Sequence, residues 1–423
     1  MVQEDPLVGE VNFVRNLVNM PNIAELKGKR AAVIVYGYYP SDTRVHRSTE
    51  ALLEAGMEVD LFCLRETARE LPEEVVGGAR VIRLALTHRR NSKLAYVWLY
   101  ARFFLSAFWF LTRKGLGAKY AVVHVHNMPD VLVFTALLPK LRGAKVILDL
   151  HDPMPELMTS IYGLEPGNWK VGLLRLLERW SIAFSNLSVT PNIAFKDLFV
   201  TRSCRAEKML IVMNTPDARY FDPDSARRDE LTASPPAEFR IMHHGSIVYR
   251  HGIDQLVEAI ATLRPKIPGL RLDIYGSPTP FLDTVLETAR RLGVSDIVRY
   301  HGVKNQDEIA EAIQHCHLGV VPNRQSAFTD INFPTRLFEY LAMHRPVIAP
   351  DTPGIRDYFG RGQMIYFQPG NVSDLADRIL WCRDHPEESR EMARHGLVIY
   401  RQHLWSEEKS RFLNQVAQLC GQN

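Results

Sequence analysis

Two doubly wound α/β domains in tandem are predicted for this 423-residue chain. Three observations carry that prediction. Short apolar, β-branched runs alternate with amphipathic helical stretches, the alternation restarts near the middle, and a polar, proline-rich segment separates the halves. A chain of this length exceeds what one core organises, so two domains of roughly 150 to 200 residues are expected.

The first strand is residues 31–36 (AAVIVY), ending at Gly37 as a buried parallel strand would. Helical spacing runs from Val45 through Leu52 and Leu53 and closes at Gly56, before a second strand at 58–64 (EVDLFCL). Residues 121–126 (AVVHVH), a helical stretch at 131–138 and residues 145–150 (KVILDL) repeat the pattern. The second half restarts with strands at 239–243, 271–275, 298–301 and 318–322. Helices are expected between them at 253–263, 280–292 and 307–315. The connector is 227–236 (RDELTASPPA), placing the boundary between 215 and 237. The expected division is residues 1–215, residues 216–395, and a terminal helix at 396–423 that packs back towards the first domain. Open sheets bind ligands beyond the carboxyl ends of their strands, so function is sought in the loops of an interdomain cleft.

A net charge of +3 is too mild to argue for nucleic acid as a partner. Five scattered cysteines, with no C-x-x-C pair, suggest reduced thiols and no structural zinc. The opening MVQEDP lacks a secretory layout, so cytoplasmic residence is expected. Residues 94–112 approach membrane-span length, but Arg102 near the middle makes crossing costly. Between Glu74 and Asp130 no acidic residue occurs, while Arg80, Arg83, Arg89, Arg90, Lys93, Arg102, Arg113, Lys114 and Lys119 do. Residues 80–119 therefore read either as a basic, apolar surface suited to anionic lipid or as a buried helix with basic ends.

The most informative segment follows the strand at 318–322. Pro334 and Thr335 signal a helix start, with Leu337, Phe338, Leu341 and Ala342 on the buried face. A helix start facing a cleft favours phosphate, Arg336 adds a charged fork, and ionised Glu339 is suited to gripping a ribose diol. On spacing alone, the plainer reading is favoured, an acidic residue complementing the dipole of an early helical turn beside a solvated arginine.

PTRLFEYLAMHRPVIAP resembles the donor-binding segment of family 4 retaining glycosyltransferases, whose P-x-[KR]-x-x-E-Y-x-A-x-x-x-P-V pattern it matches. The resemblance implies the GT-B fold, a nucleotide-sugar donor, ribose binding by Glu339 and diphosphate binding by the preceding turn. Many members carry a glutamate eight residues upstream; Ile331 stands there, with Asp330 beside it as the available substitute. His344 occupies a place where glycine is common. HGSIVYRHGIDQLVEAIATL is similar to the family's diphosphate loop, with Gly245, Arg250 and Gly252 retained. MNTPDARYFDP matches its domain-entry signature through Asn214, Asp217 and Phe221, and the region from Gly302 fits the base-contacting loop. The implied donor site is Gly37, Gly245, Ser246, Arg250, Gly302, Val303, Pro334, Thr335, Arg336, Leu337 and Glu339.

In the first half, GYYPSDTR follows the first strand, and Asp42, Arg44 and Arg47 fall at a spacing that lines a cleft. An Arg–Asp pair fixing the loop explains Asp42 equally well. The strand VILDL delivers His151, Asp152 and Glu156, a run resembling the family's H-[DE]-x-x-P-E; His126 is a second histidine candidate. Acceptor binding is assigned to Asp42, Arg44, Arg47, His126, Asp152 and Glu156, and catalysis to His151, Arg250 and Asp330. No D-x-D occurs in a loop expected to hold metal, since Asp222-Pro223-Asp224 lies near the domain connection. Metal-independent transfer without a cofactor is expected, from a UDP- or GDP-sugar to a glycan or lipid-linked acceptor. No G-x-G-x-x-G follows either first strand, which counts against a nicotinamide enzyme. A GT-B epimerase and a catalytically silent sugar-nucleotide binder are the rival readings.

Overall fold

The computed structural model describes residues 23–86, 93–225 and 238–421, with side chains in 93–97 excepted. The connector 227–236, the first 22 residues, and Arg89 and Arg90 lie outside the described residues. The first sheet contains β1 (Arg30–Tyr38), β2 (Glu58–Leu64), β3 (Glu73–Val76), β4 (Ala79–Leu84), β5 (Val122–His126), β6 (Lys145–Asp149), β7 (Leu187–Thr190) and β8 (Met209–Ile211). Its order is β3-β4-β2-β1-β5-β6-β7-β8, parallel apart from the β3–β4 pair. The central strands are buried on both faces, which is why they read as continuous apolar runs. Strand order reverses between β1 and β5, so Gly37, His126 and His151 sit at the switch point.

One face of this sheet is covered by α1 (Thr43–Glu54). The other carries α2 (Lys93–Gly117), a 3-10 segment (Asp130–Ala136) running into α3 (Leu137–Leu141), α4 (Met154–Tyr162), α5 (Trp169–Phe184) and α6 (Ile193–Arg202). The single helix expected at 131–138 is thus a tighter 3-10 turn with a short α extension.

The second sheet is wholly parallel, in the order β11-β10-β9-β12-β13-β14. Its strands are β9 (Phe239–His244), β10 (Leu270–Tyr275), β11 (Val298–Tyr300), β12 (Leu318–Val320), β13 (Val347–Pro350) and β14 (Ile365–Phe367). Around them pack α7 (Ile253–Leu263), α8 (Pro280–Arg291), α9 (Gln306–His315), α10 (Arg336–Ala342), α11 (Pro353–Arg356), α12 (Val372–Asp384) and α13 (Pro386–Arg401). Order reverses here between β9 and β12, whose following loops carry Gly245 and residues 323–335.

The last helix, α14 (Trp405–Gly421), returns to the first domain. Phe412, Leu413, Val416 and Ala417 share a core with Val33 on β1 and Val45 on α1. The buried carboxylate of Glu408 accepts the Met213 amide at 2.9 Å, tying this helix to the crossing between domains. Among the described residues no helix is long and apolar enough to cross a membrane.

Candidate functional site

The two switch points face one another across a cleft of about 480 Å³. Arg44, Arg47, His151 and Asp152 form one wall, and His244, Gly245, Ser246, Arg336 and Glu339 the other.

On the second wall, α10 is positioned by its buried face. The Tyr340 hydroxyl donates to the Met242 carbonyl on β9 at 2.9 Å, and its ring lies over Gly319, where any Cβ would collide at 2.5 Å. With Leu337, Phe338, Tyr340 and Leu341 in the core, Arg336 and Glu339 share the remaining face, three positions apart. Leu337 therefore supplies packing, and its amide is satisfied by the Pro334 carbonyl at 3.0 Å. Thr335 is already helical and its side chain caps nothing, contrary to the expected threonine cap. Pro334 and Thr335 line the cleft as the turn itself.

Arg336 is neither solvated nor ion-paired. Its Nη1 donates to the His244 carbonyl at 2.8 Å and lies 3.3 Å from His243 Nε2, while Nη2 lies 3.4 Å from His251 Nε2. Burial and this guanidinium push all three histidines down, His243 to about 3, His251 to about 2 and His244 well below its ordinary value. The cation is thus ringed by neutral imidazoles, an arrangement receptive to an anion. Gly245, at φ +119°, passes over it so closely that a Cβ would stand 3.1 Å from Nη1. His251 Nδ1 holds the same loop by donating to the Ser246 carbonyl at 2.6 Å. Glu339 Oε2 lies 3.3 Å from His244 Nε2, and burial raises its carboxyl to about 7 against the pull of Arg336 and Arg47.

Other expected donor residues are more dispersed. Arg250 is half-buried, with no hydrogen bond or ion pair to its guanidinium among the described residues, and is not a wall of the cleft. Gly302 turns at φ +75° and accepts the Gly276 amide, while Val303 is exposed; Gln306 just beyond them reaches the cleft. Gly37 is the penultimate residue of β1 and does not line the cleft. Asp330 has one oxygen 3.4 Å from the Gln325 amide and the other buried without a partner, and burial raises its carboxyl. Ile331 packs against the first domain's core, and Asn332 is the member of this trio that lines the cleft. His344 adopts φ +56°, a left-handed conformation that explains why glycine suits that position.

On the first wall, His151 is oriented from within. Its Nε2 lies 2.9 Å from His126 Nδ1, and its Nδ1 lies 3.5 Å from Asp149 Oδ1. His124 Nε2 meets Asp149 Oδ2 at 3.2 Å. Burial lowers the pKa of His126 and His151, and the surrounding imidazoles hold Asp149 low despite its burial. His126 Nδ1–H donating to His151 Nε2, and His151 Nδ1–H donating to Asp149, satisfy the contacts along this chain. His126 is therefore a support beneath His151, fully buried, and not itself a cleft residue. Asp42 caps α1 by accepting the Arg44 amide at 3.1 Å and grips the Arg44 guanidinium at 3.0 and 3.1 Å, so it fixes the loop and presents Arg44. Arg47 reaches the Thr215 carbonyl at the domain crossing and lies over the Trp405 ring. Glu156 is turned away: both its oxygens are held by Arg202, at 2.6 and 2.9 Å, in a buried triad with Glu178.

Sequence reasoning missed the role of His243 and His244, legible only as the pair ending strand FRIMHH, and of Asn332. His124, His126 and Asp149 have ligand atoms within 4.8 Å of one another, the spacing of a metal site, which protons alone also satisfy. Asp224 is spent on Arg401. A larger depression of about 1140 Å³ beside β14 holds two ion pairs of its own, Arg356–Asp351 and Arg378–Asp374.

Two family models match the chain: the glycosyl transferase 4-like domain over residues 41–215 and glycosyl transferases group 1 over 238–385. Glycogen synthase of Mycobacterium tuberculosis is 24% identical over 371 residues, covering 83% of this chain and 84% of that protein. Among solved structures, sucrose-phosphate synthase of Thermosynechococcus elongatus superposes with a TM-score of 0.74 at 16% identity, over 92% of this chain and 98% of that one. HepE of Anabaena, solved in complex with UDP-glucose, gives 0.64 at 14% identity, over 92% and 98%. With two such domains facing one cleft, the chain belongs to the GT-B glycosyltransferases of the family 4 type.

Proposed function

We propose that this glycosyltransferase moves a hexose-type sugar from a UDP- or GDP-sugar to a glycan or lipid-linked acceptor, with retention at the anomeric carbon and without a metal. The observation that carries the donor reading is the buried Arg336 cation, unpaired by any carboxylate among the described residues and three positions from Glu339. A nucleoside diphosphate supplies both missing partners, an anion for Arg336 and a ribose diol for Glu339. UDP-glucose is the first donor to test, because HepE, of the same fold, was solved with it.

In the step itself the bond from the anomeric carbon to the diphosphate oxygen breaks, and its electrons leave with the diphosphate. The acceptor hydroxyl attacks on the face so vacated, and its proton passes to the departing phosphate oxygen. Arg336 and Arg250 stabilise the growing charge. His151, Asp152 and Arg44 orient the acceptor. A panel of nucleotide sugars, read for hydrolysis and transfer, tests the proposal. Epimerisation of the free donor, or binding without turnover, selects a rival reading, and unchanged nucleotide binding by Glu339→Ala removes the donor assignment.

A further inference from the structure

The first domain carries two tryptophan-bearing stripes that its own core does not use. On α2 the outward positions are Trp98, Arg102, Leu105, Trp109, Arg113 and Leu116, spaced by three or four residues along one line. On α5 they are Trp169, Leu173, Leu176 and Trp180, at the same spacing. The four tryptophans are 61, 66, 72 and 54% exposed in chain order, whereas Phe103, Ala107 and Leu111 on α2 and Ile182 on α5 face the sheet. Both helices flank the 3-10 segment 130–136, joined to α5 by the Phe134–Phe184 contact at 5.1 Å. Leu137 and Leu141 of α3 extend the apolar exposure between them.

The charges on these elements are of one sign. Arg102, Arg113, Lys170, Arg175 and Arg179 are exposed on α2 and α5, and the two carboxylates on the same elements are withdrawn. Asp130 is buried against Asn127 and Glu178 is buried against Arg202. A surface of exposed tryptophan and leucine on helices whose exposed charges are all cations matches the boundary of an anionic bilayer, where indole rings sit at headgroup depth and arginines meet phosphate. The exposed apolar face is also joined to the cleft. α4 leaves the His151–Asp152 loop and ends at exposed Ile161 and Tyr162, a nine-residue helix about 14 Å long by its rise per residue.

We propose that the outer faces of α2 and α5 form one docking surface for an anionic lipid bilayer, lying in the interface without crossing it. That orientation sets the acceptor side of the cleft about one short helix from the membrane. The inference goes beyond the donor reading, and its test does not require turnover. The intact chain is floated with phosphatidylglycerol-containing vesicles and with pure phosphatidylcholine vesicles, at low and high salt. Expected are binding to the anionic vesicles alone, weakened by salt, and a blue shift of tryptophan emission. The paired variants Trp98→Ser with Trp109→Ser, and Trp169→Ser with Trp180→Ser, each weaken binding about tenfold or more. Arg102→Glu with Arg113→Glu does the same while the tryptophans remain. All these residues are exposed, so circular dichroism and nucleotide binding stay as in the parent. Failure of the parent to float with anionic vesicles, or undiminished binding by the variants, overturns the proposal. So does a dimer of the parent that the tryptophan variants dissociate, which would make this face a contact between copies.

Discussion

His126 Nδ1 lies 2.9 Å from His151 Nε2, so the histidine that faces the cleft is held by one that never reaches it. Asp149 completes the arrangement, within 3.5 Å of both rings. Replacing it by asparagine keeps the volume but removes the charge and one acceptor, so His151 loses its preferred orientation. Asp149→Asn is expected to lower kcat for transfer by about 10²-fold, the size that a small misplacement of an acceptor-orienting group produces. The KM for donor stays near the parent value, because Asp149 is absent from the opposite wall. A donor KM that rises in step with the fall in kcat would contradict this role.

Arg336 governs the other wall. Arg336→Met is expected to remove about 2–4 kcal/mol of UDP affinity, measured by titration calorimetry, because a desolvated cation is what the diphosphate meets. Thermal unfolding of the ligand-free variant should show no loss, since the parent carries the cost of a buried charge without a carboxylate partner.

Glu339, in the proposed donor site, is expected to make UDP binding depend on pH. Its carboxyl is raised from 4.5 to about 7, so it is neutral below about pH 7 and ionised above. UDP affinity should therefore rise as pH passes upward through about 7, and Glu339→Gln should bind weakly with a flat profile. Stability runs the opposite way. Between pH 4.5 and about 7 the folded chain binds more protons than the unfolded one, so this group withdraws stability as pH rises through that window. Above it, Glu339→Gln should be more stable than the parent by roughly 1–3 kcal/mol in urea unfolding.

Gly245→Ala tests the close approach of loop and guanidinium. At φ +119° with Arg336 Nη1 3.1 Å from the new methyl, both backbone and contact are strained. A loss of about 1–3 kcal/mol in stability and a raised donor KM are expected.

The doubly wound architecture was legible because its signal is repetitive: buried parallel strands read as apolar runs, and each helix closes on a recognisable stop. The β3–β4 hairpin was overlooked although VVGGARV carries its turn; Gly77 and Gly78 both adopt positive φ, as a tight hairpin needs. In the site, Glu339 and Arg336 were legible as a pair, but the inward direction of Arg336 was not, because only tertiary packing brings His243, His244 and His251 around it. Glu156 shows the converse. Its place after His151 fits an acceptor contact, yet Arg202, distant in sequence, takes both its oxygens. Asp330 and Ile331 illustrate a third limit. A loop that bridges domains assigns its side chains to whichever core lies nearer, so Ile331 went to the first domain and Asn332 to the cleft.

Phe412 sits fully buried in the first domain although it belongs to the last helix. Phe412→Ala is expected to cost about 3–5 kcal/mol, read by chemical denaturation.

That same helix has a consequence for how the protein is made. Glu408 and Phe412 emerge from the ribosome after the whole second domain, yet they complete a core whose other members were synthesised first. The leading domain must therefore wait, with part of its apolar surface uncovered, while the trailing domain is translated and folds. The chain consequently passes between its domains twice, and a hinge of two covalent crossings permits them to close on a substrate while forbidding one to twist freely about the other.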